Sequence, residues 1–233
     1  MKACTATVLT AILAVFPAHA YERIEVSDGG TITGKVIYNS PVAMRKIIPT
    51  KDQEVCGGIR EEPEVLVGPD KGVQDAVVQL RDVPKGKAWP SRDKPSAINN
   101  LKCRFDPYVQ VIPAGEVDVV NSDPILHNTK GFYGRRSAFN IALPNQGQRI
   151  KAELPRPGDV RVECDVHGWM QGWIYVADSP YYAVTPTDGT FTIPDVPPGT
   201  YKLVAAQPNT GAVEIPVTVK PKETVQLTIE LKK

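Results

Sequence analysis

The sequence predicts an all-β protein in which two sandwiches share one chain, and three observations lead there. Helical periodicity is almost absent across the 233 residues. Short runs rich in β-branched residues recur in its place. The stretches between them carry the Pro, Gly and Asp clusters that turn a chain back on itself. An apolar share of 42% is enough for ordinary cores.

The runs fall at residues 31–38, 76–80, 109–112, 117–120, 160–163, 172–176, 201–205 and 224–231. Pro113-Ala114-Gly115 turns the third into the fourth, and Pro157-Gly158-Asp159 opens the fifth. Asp188-Gly189 and Pro197-Pro198-Gly199 lead into the run at 201–205. Such spacing is that of sandwich loops. Residues 84–95 mix Lys, Gly, Trp, Ser and Pro without period and read as a loop or linker.

The first twenty residues read differently. Lys2 precedes an apolar run at 8–16, and Ala18-His19-Ala20 has the small-x-small form cut by signal peptidase, which predicts a mature chain from about Tyr21 and an oxidising, periplasmic destination. The run is too short for a bilayer-spanning anchor. Cys4 precedes it, so no lipobox cysteine marks the cleavage point and no membrane anchor is expected. Basic and acidic residues number 27 and 26 without long like-charge runs, which removes the electrostatic footprint of a nucleic-acid binder.

Cys56, Cys103 and Cys164 remain once the leader is gone, an odd number in an oxidising compartment, so one thiol is spared for other chemistry. Cys164 is the candidate, because Cys164, His167 and Met170 form C-x-x-H-x-x-M between the strand runs at 160–163 and 172–176. Thiolate and imidazole in a trigonal set with a weak thioether above suit one copper ion that cycles between two oxidation states. A second histidine is needed, and with His19 lost in the leader only His127 supplies it. Zinc is the next candidate, but thioether is a poor zinc ligand. The haem-attachment sequence C-x-x-C-H does not occur.

The context of these residues carries a resemblance. Phe105-Asp106-Pro107-Tyr108-Val109, Pro113-Ala114-Gly115, the run at 117–120, Asn121-Ser122-Asp123 and His127-Asn128 stand in the order found in plastocyanins. Residues 98–178 thus resemble the cupredoxin family, in particular its plastocyanin-like, methylamine-utilisation type. The resemblance implies a Greek-key sandwich with copper at one end, held by His127, Cys164 and His167. The axial ligand would be Met170. Gly168 and Trp169 alone separate His167 from Met170, fewer residues than plastocyanin-type loops use, and so short a loop lengthens or removes the axial bond. Asn128 is implied to tie the two ligand loops together through its side chain. Asp123 and Asp165 read as surface turn residues without a ligand role.

With Cys164 on the metal, Cys56 and Cys103 are expected to pair, worth about 3 to 5 kcal/mol. Trp169 and Trp173 either form the apolar docking patch around the edge of the ligand histidine or fill the core. Tyr181, Tyr182 and Tyr201 read as core or interface residues.

The two ends carry a second resemblance. Gly30-Thr31-Ile32-Thr33-Gly34-Lys35-Val36 and Val73-Gln74-Asp75-Ala76-Val77-Val78-Gln79-Leu80 look like the opening strands of carboxypeptidase regulatory-like (prealbumin-like) domains. The stretches at 187–191 and 196–203 look like their closing half. The expected organisation is a split sandwich, residues 28–83 plus 180–233, with the domain at 98–178 inserted in it or joined to it.

The resemblance implies an electron carrier rather than a catalyst, partnered by a c-type cytochrome or another periplasmic oxidoreductase and passing electrons at the edge of His167. Two mature histidines are too few for the further copper centre that a copper enzyme needs. The alternative is a noncatalytic module that binds copper, carbohydrate or protein.

Overall fold

The computed structural model describes residues 21–233, so the leader expected at 1–20 lies outside the described residues. Strands dominate, and the helices are a single turn at Gln53–Cys56 and a 3-10 turn at Pro69–Lys71. No helix among the described residues is long and apolar enough to cross a membrane.

The strands form two sandwiches. In the first, a five-stranded sheet runs Arg136–Leu143, His127–Tyr133, Gly158–Cys164, Gln171–Ala177, Val109–Pro113, and faces a four-stranded sheet of Arg149–Leu154, Gly115–Asn121, Ala97–Leu101 and Arg104–Asp106. Ile98, Val119, Leu154, Val160, Val162 and Ile174 fill the space between them. In the second, Tyr182–Val184, Val77–Arg81, Gly199–Ala206 and Val213–Val219 face a sheet of Thr190–Val196, Gly30–Tyr38 and Thr224–Leu231. Its centre is Ile32, Val36, Leu80, Ile193, Leu203 and Leu231. Gly30–Tyr38 lies parallel to Thr224–Leu231 along its length, so the first long strand of the described chain and its last are neighbours in one sheet.

A third apolar cluster joins the sandwiches. Val109, Val111 and Tyr175 of the first meet Val77, Tyr182 and Val184 of the second, with Trp89 and Trp173 packed alongside. Trp173 is therefore part of the contact between the two sandwiches and not of a patch around the ligand histidine. Tyr181 is fully buried in the second core and Tyr201 packs against it.

Several strands carry no β-branched run. Ala97–Leu101, Arg136–Leu143 and Arg149–Leu154 have a single β-branched residue each, and are held by their partners' hydrogen bonds. Strand alternation sets up the site. In Gly158–Cys164 the buried positions are Val160, Val162 and Cys164, so period two turns the cysteine into the sandwich. His127, Thr129 and Gly131 point inward from the neighbouring strand, with Thr129 opposite Cys164. Gly131 is required there, because a Cβ would fall 2.2 Å from the Phe139 ring.

Candidate metal centre

Cys164 ends its strand, His127 begins the next one over, and His167 sits on the short loop between Cys164 and Gln171. The loop is closed by the Met170 N–H, which donates to the His167 carbonyl at 2.9 Å. These elements bring three donors together. Cys164 Sγ is 3.8 Å from His127 Nδ1 and 3.8 Å from His167 Nδ1, and the two nitrogens are 3.1 Å apart. The Asn128 backbone N–H points at the sulfur from 3.5 Å. Both imidazoles are fully buried and the thiol nearly so.

The outer nitrogens decide what the inner ones are. His127 Nε2 is 2.9 Å from Asp123 Oδ2, and His167 Nε2 is 2.9 Å from Asp52 Oδ2. An ionised carboxylate only accepts, so Nε2–H is the donor in each pair, and in the neutral tautomer that this selects Nδ1 keeps its lone pair. Burial pushes the His127 pKa down, against the opposing pull of the Asp123 hydrogen bond. Two Nδ1 atoms and a sulfur thus face one another, an arrangement that a cation resolves. Bonds of about 2.0 Å to nitrogen and about 2.3 Å to thiolate sulfur span donors this far apart. One soft or borderline metal ion therefore fits the donor set.

Asp123 is not the surface turn residue that its Asn-Ser-Asp setting suggests. It is buried, and besides His127 it accepts the backbone N–H groups of Lys102 at 2.6 Å and Cys103 at 2.9 Å. Lys102 and Cys103 both have positive φ, 52° and 54°, so their successive N–H groups form a cradle around the carboxylate. Asp165 is exposed and pairs with Lys130 at 2.8 Å.

Asn128 also differs from expectation. Its side-chain amide donates to Asn140 Oδ1 at 2.7 Å, across to the next strand, and the link to the cysteine comes from its backbone. Register explains this, since Asn128 points away from the sandwich interior while His127 and Thr129 point in.

Asp52 was missed altogether. It stands 115 residues before His167, at the start of the one-turn helix, in a left-handed conformation with φ 51°. That helix ends in Cys56, which forms a disulfide with Cys103. The bridge fastens residues 52–56 to the site-bearing sandwich and holds Asp52 over His167. The expected route to a partner through an exposed His167 edge is therefore closed: the ring is fully buried and its outer nitrogen is taken. Trp169 lies against the same imidazole, ring centroids 5.1 Å apart, and is half-buried. Met170 is buried in the core that contains Cys164.

Residues 174–232 match the family model described as the carboxypeptidase regulatory-like domain. This chain contains such a domain. Gly30–Tyr38 and Val77–Arg81 pair with strands of the matched stretch and lie outside it. Among solved structures, a Cu-containing nitrite reductase from Thermus scotoductus SA-01 is similar at 24% identity over 39% of this chain and 24% of its own, with a TM-score of 0.32. A purple cupredoxin from Nitrosopumilus maritimus is similar at 24% identity over 35% of this chain and 99% of its own, TM-score 0.32. Amicyanin from Paracoccus versutus is similar at 19% identity over 37% of this chain and 85% of its own, TM-score 0.33. The chain spans about a quarter of the length of the nitrite reductase. No curated relative matches the sequence.

Proposed function

We propose that this chain is a periplasmic mononuclear copper protein, type 1-like, that carries single electrons between redox partners and is not itself a catalyst. The observation that carries the reading is the pair of Nδ1 atoms 3.1 Å apart beside the Cys164 sulfur, each ring fixed by a carboxylate on its far nitrogen. In this reading His127, Cys164 and His167 would hold the ion, with the Met170 thioether as a further, weaker ligand. A bound copper ion supplies a one-electron couple that soft thiolate and imidazole ligands support in both oxidation states.

The chain's own residues keep the ligand set in place. Asp123 and Asp52 hold the imidazoles in one tautomer and one orientation, and the Asn128 N–H offers a hydrogen bond to the sulfur. Three buried ligands on two adjacent strands and one short loop have little freedom to rearrange when the charge on the ion changes. Partner docking falls to Trp169, the side chain that touches His167 and also reaches solvent. A c-type cytochrome or another periplasmic oxidoreductase is the partner class. The division into residues 98–178 for the copper domain and 28–83 plus 180–233 for the regulatory-like sandwich belongs to the same proposal.

Protein-film voltammetry on the copper-loaded chain tests this. A reversible one-electron wave that disappears in Cys164→Ser supports electron transfer. Copper that binds but shows no wave assigns the chain to the noncatalytic binding modules instead.

A further inference from the structure

A cavity of about 530 Å³ opens where the two sandwiches meet the hairpin of Met44–Ile47 and Arg60–Pro63. Its wall is rich in guanidinium groups. Arg45 and Glu62 stand directly opposite each other in the hairpin, Arg60 Nε donates to Glu62 Oε1 at 2.7 Å, and Arg104 Nη2 donates to the same oxygen at 2.5 Å. One carboxylate thus answers three arginines. Glu64, another acid of the wall, is paired with Lys233. Arg45 gives one N–H to Gln171 Oε1 and Arg104 gives one to Glu62, so both keep N–H groups that have no acceptor among the described residues. Asp75 contributes a carboxyl from the second sandwich. Burial pushes its pKa up, with the Gln74 amide at 3.4 Å opposing, and no guanidinium relieves it. Tyr108 stands in the field of both groups, since burial raises its pKa while Arg45 pulls it down and Asp75 pushes it further up. Phe105, Trp169 and Met170 supply the apolar part of the wall.

We propose that this cavity binds a phenolic carboxylate, with its carboxylate on Arg45 and Arg104, its ring against Phe105, Trp169 and Met170, and its hydroxyl donating to Asp75. The fork of a guanidinium matches a carboxylate in both charge and shape. An apolar cleft with a few placed polar groups is the usual form of a small-molecule site. A wholly apolar guest would leave the spare guanidinium N–H groups and the Asp75 carboxyl unanswered, and an organic cation would meet the arginines. The guest draws on no residue of the metal centre, because Asp52, His127, Cys164 and His167 are not in the wall. It does bear on that centre's loop, since Trp169 lies against the His167 ring and Met170 closes the loop through its N–H.

The test uses the full, disulfide-bonded chain without metal, so this proposal and the copper reading can each fail alone. Calorimetric titration is made with 4-hydroxybenzoate and with 4-hydroxycinnamate, which differ in length. At least one should bind saturably, one molecule per chain. The matching amide, alike in shape but uncharged, should bind about tenfold more weakly or worse, and the acid without its hydroxyl should also bind more weakly. Arg45→Met combined with Arg104→Met should remove the preference for acid over amide, while Arg135→Met, on an exposed turn outside the cavity, should keep it. Arg45 also holds Gln171, so circular dichroism follows the fold of the double variant. Should that variant unfold, Arg104→Met, at an exposed residue, decides alone by narrowing the preference or leaving it intact. The proposal is overturned if neither acid binds saturably, if the amide or the hydroxyl-free acid binds as tightly, or if the folded arginine variant keeps the full preference.

Discussion

Asp123→Asn isolates the role of one buried carboxylate. Its Oδ1 accepts the Lys102 N–H, and its Oδ2 accepts both the Cys103 N–H and His127 Nε2–H. Asparagine has one acceptor oxygen, so its amide NH₂ must face at least one of these donors. An orphaned buried donor costs about 1 to 3 kcal/mol, and replacing a charged acceptor with a neutral one weakens the remaining bonds by roughly another 1 kcal/mol. The expected loss is about 2 to 4 kcal/mol in the metal-free chain, or roughly 10 to 30 °C in the melting of the site-bearing sandwich. Metal affinity should fall by about 10- to 100-fold, because His127 loses the partner that fixes its tautomer. Urea titration followed by far-UV circular dichroism measures the first, and competition with a chelator of known affinity the second. Asp165→Asn is the control, an exposed aspartate one residue past the ligand cysteine, expected to stay within about 0.5 kcal/mol of wild type. Equal effects of the two substitutions would refute the argument.

Asp52→Asn removes the carboxylate from His167 while sparing the core, so chelator competition should show metal affinity falling by about tenfold with a melting temperature close to wild type. Gly34→Ala does the opposite: its Cβ would lie 2.0 Å from the Leu227 carbonyl oxygen, so the parallel strands must part, costing about 3 kcal/mol in urea titration with metal binding unchanged. Acidification provides a third check on the metal-free chain. Burial holds the His127 pKa below its ordinary 6.5, so below about pH 6.5 the unfolded chain takes up a proton that the folded one refuses. Stability from this group is complete above that pH and declines as pH falls toward the folded value, by up to about 1.4 kcal/mol per unit. His127→Gln should flatten that slope.

The cluster of His127, Cys164 and His167 was legible because its parts are chemically rare. Cys164, His167 and Met170 sit on one loop, and a single mature histidine was left to complete the set, so little else could be chosen. The disulfide followed in the same way, from the two remaining cysteines. The all-β reading rested on β-branched runs and turn clusters, and it passed over Ala97–Leu101 and Arg149–Leu154, which have one β-branched residue each and are held in place by paired neighbours. Asp52 and Asp123 were out of reach for a different reason. Aspartate beside Asn, Ser or Lys is what an exposed turn looks like, and nothing local distinguishes one that the fold later buries against an imidazole. Asp52 becomes part of the centre only because a disulfide carries it there. The same contact closed the His167 edge, which sequence order alone leaves open.

The central claim is that Cys164 Sγ and two imidazole nitrogens bind a single copper ion. Titration of the oxidised, metal-free chain with Cu(II), watched in the visible spectrum, tests it most directly. An intense thiolate-to-copper band should grow to saturation at one ion per chain and be absent from Cys164→Ser. A colourless titration, or a band that survives in the serine variant, contradicts it.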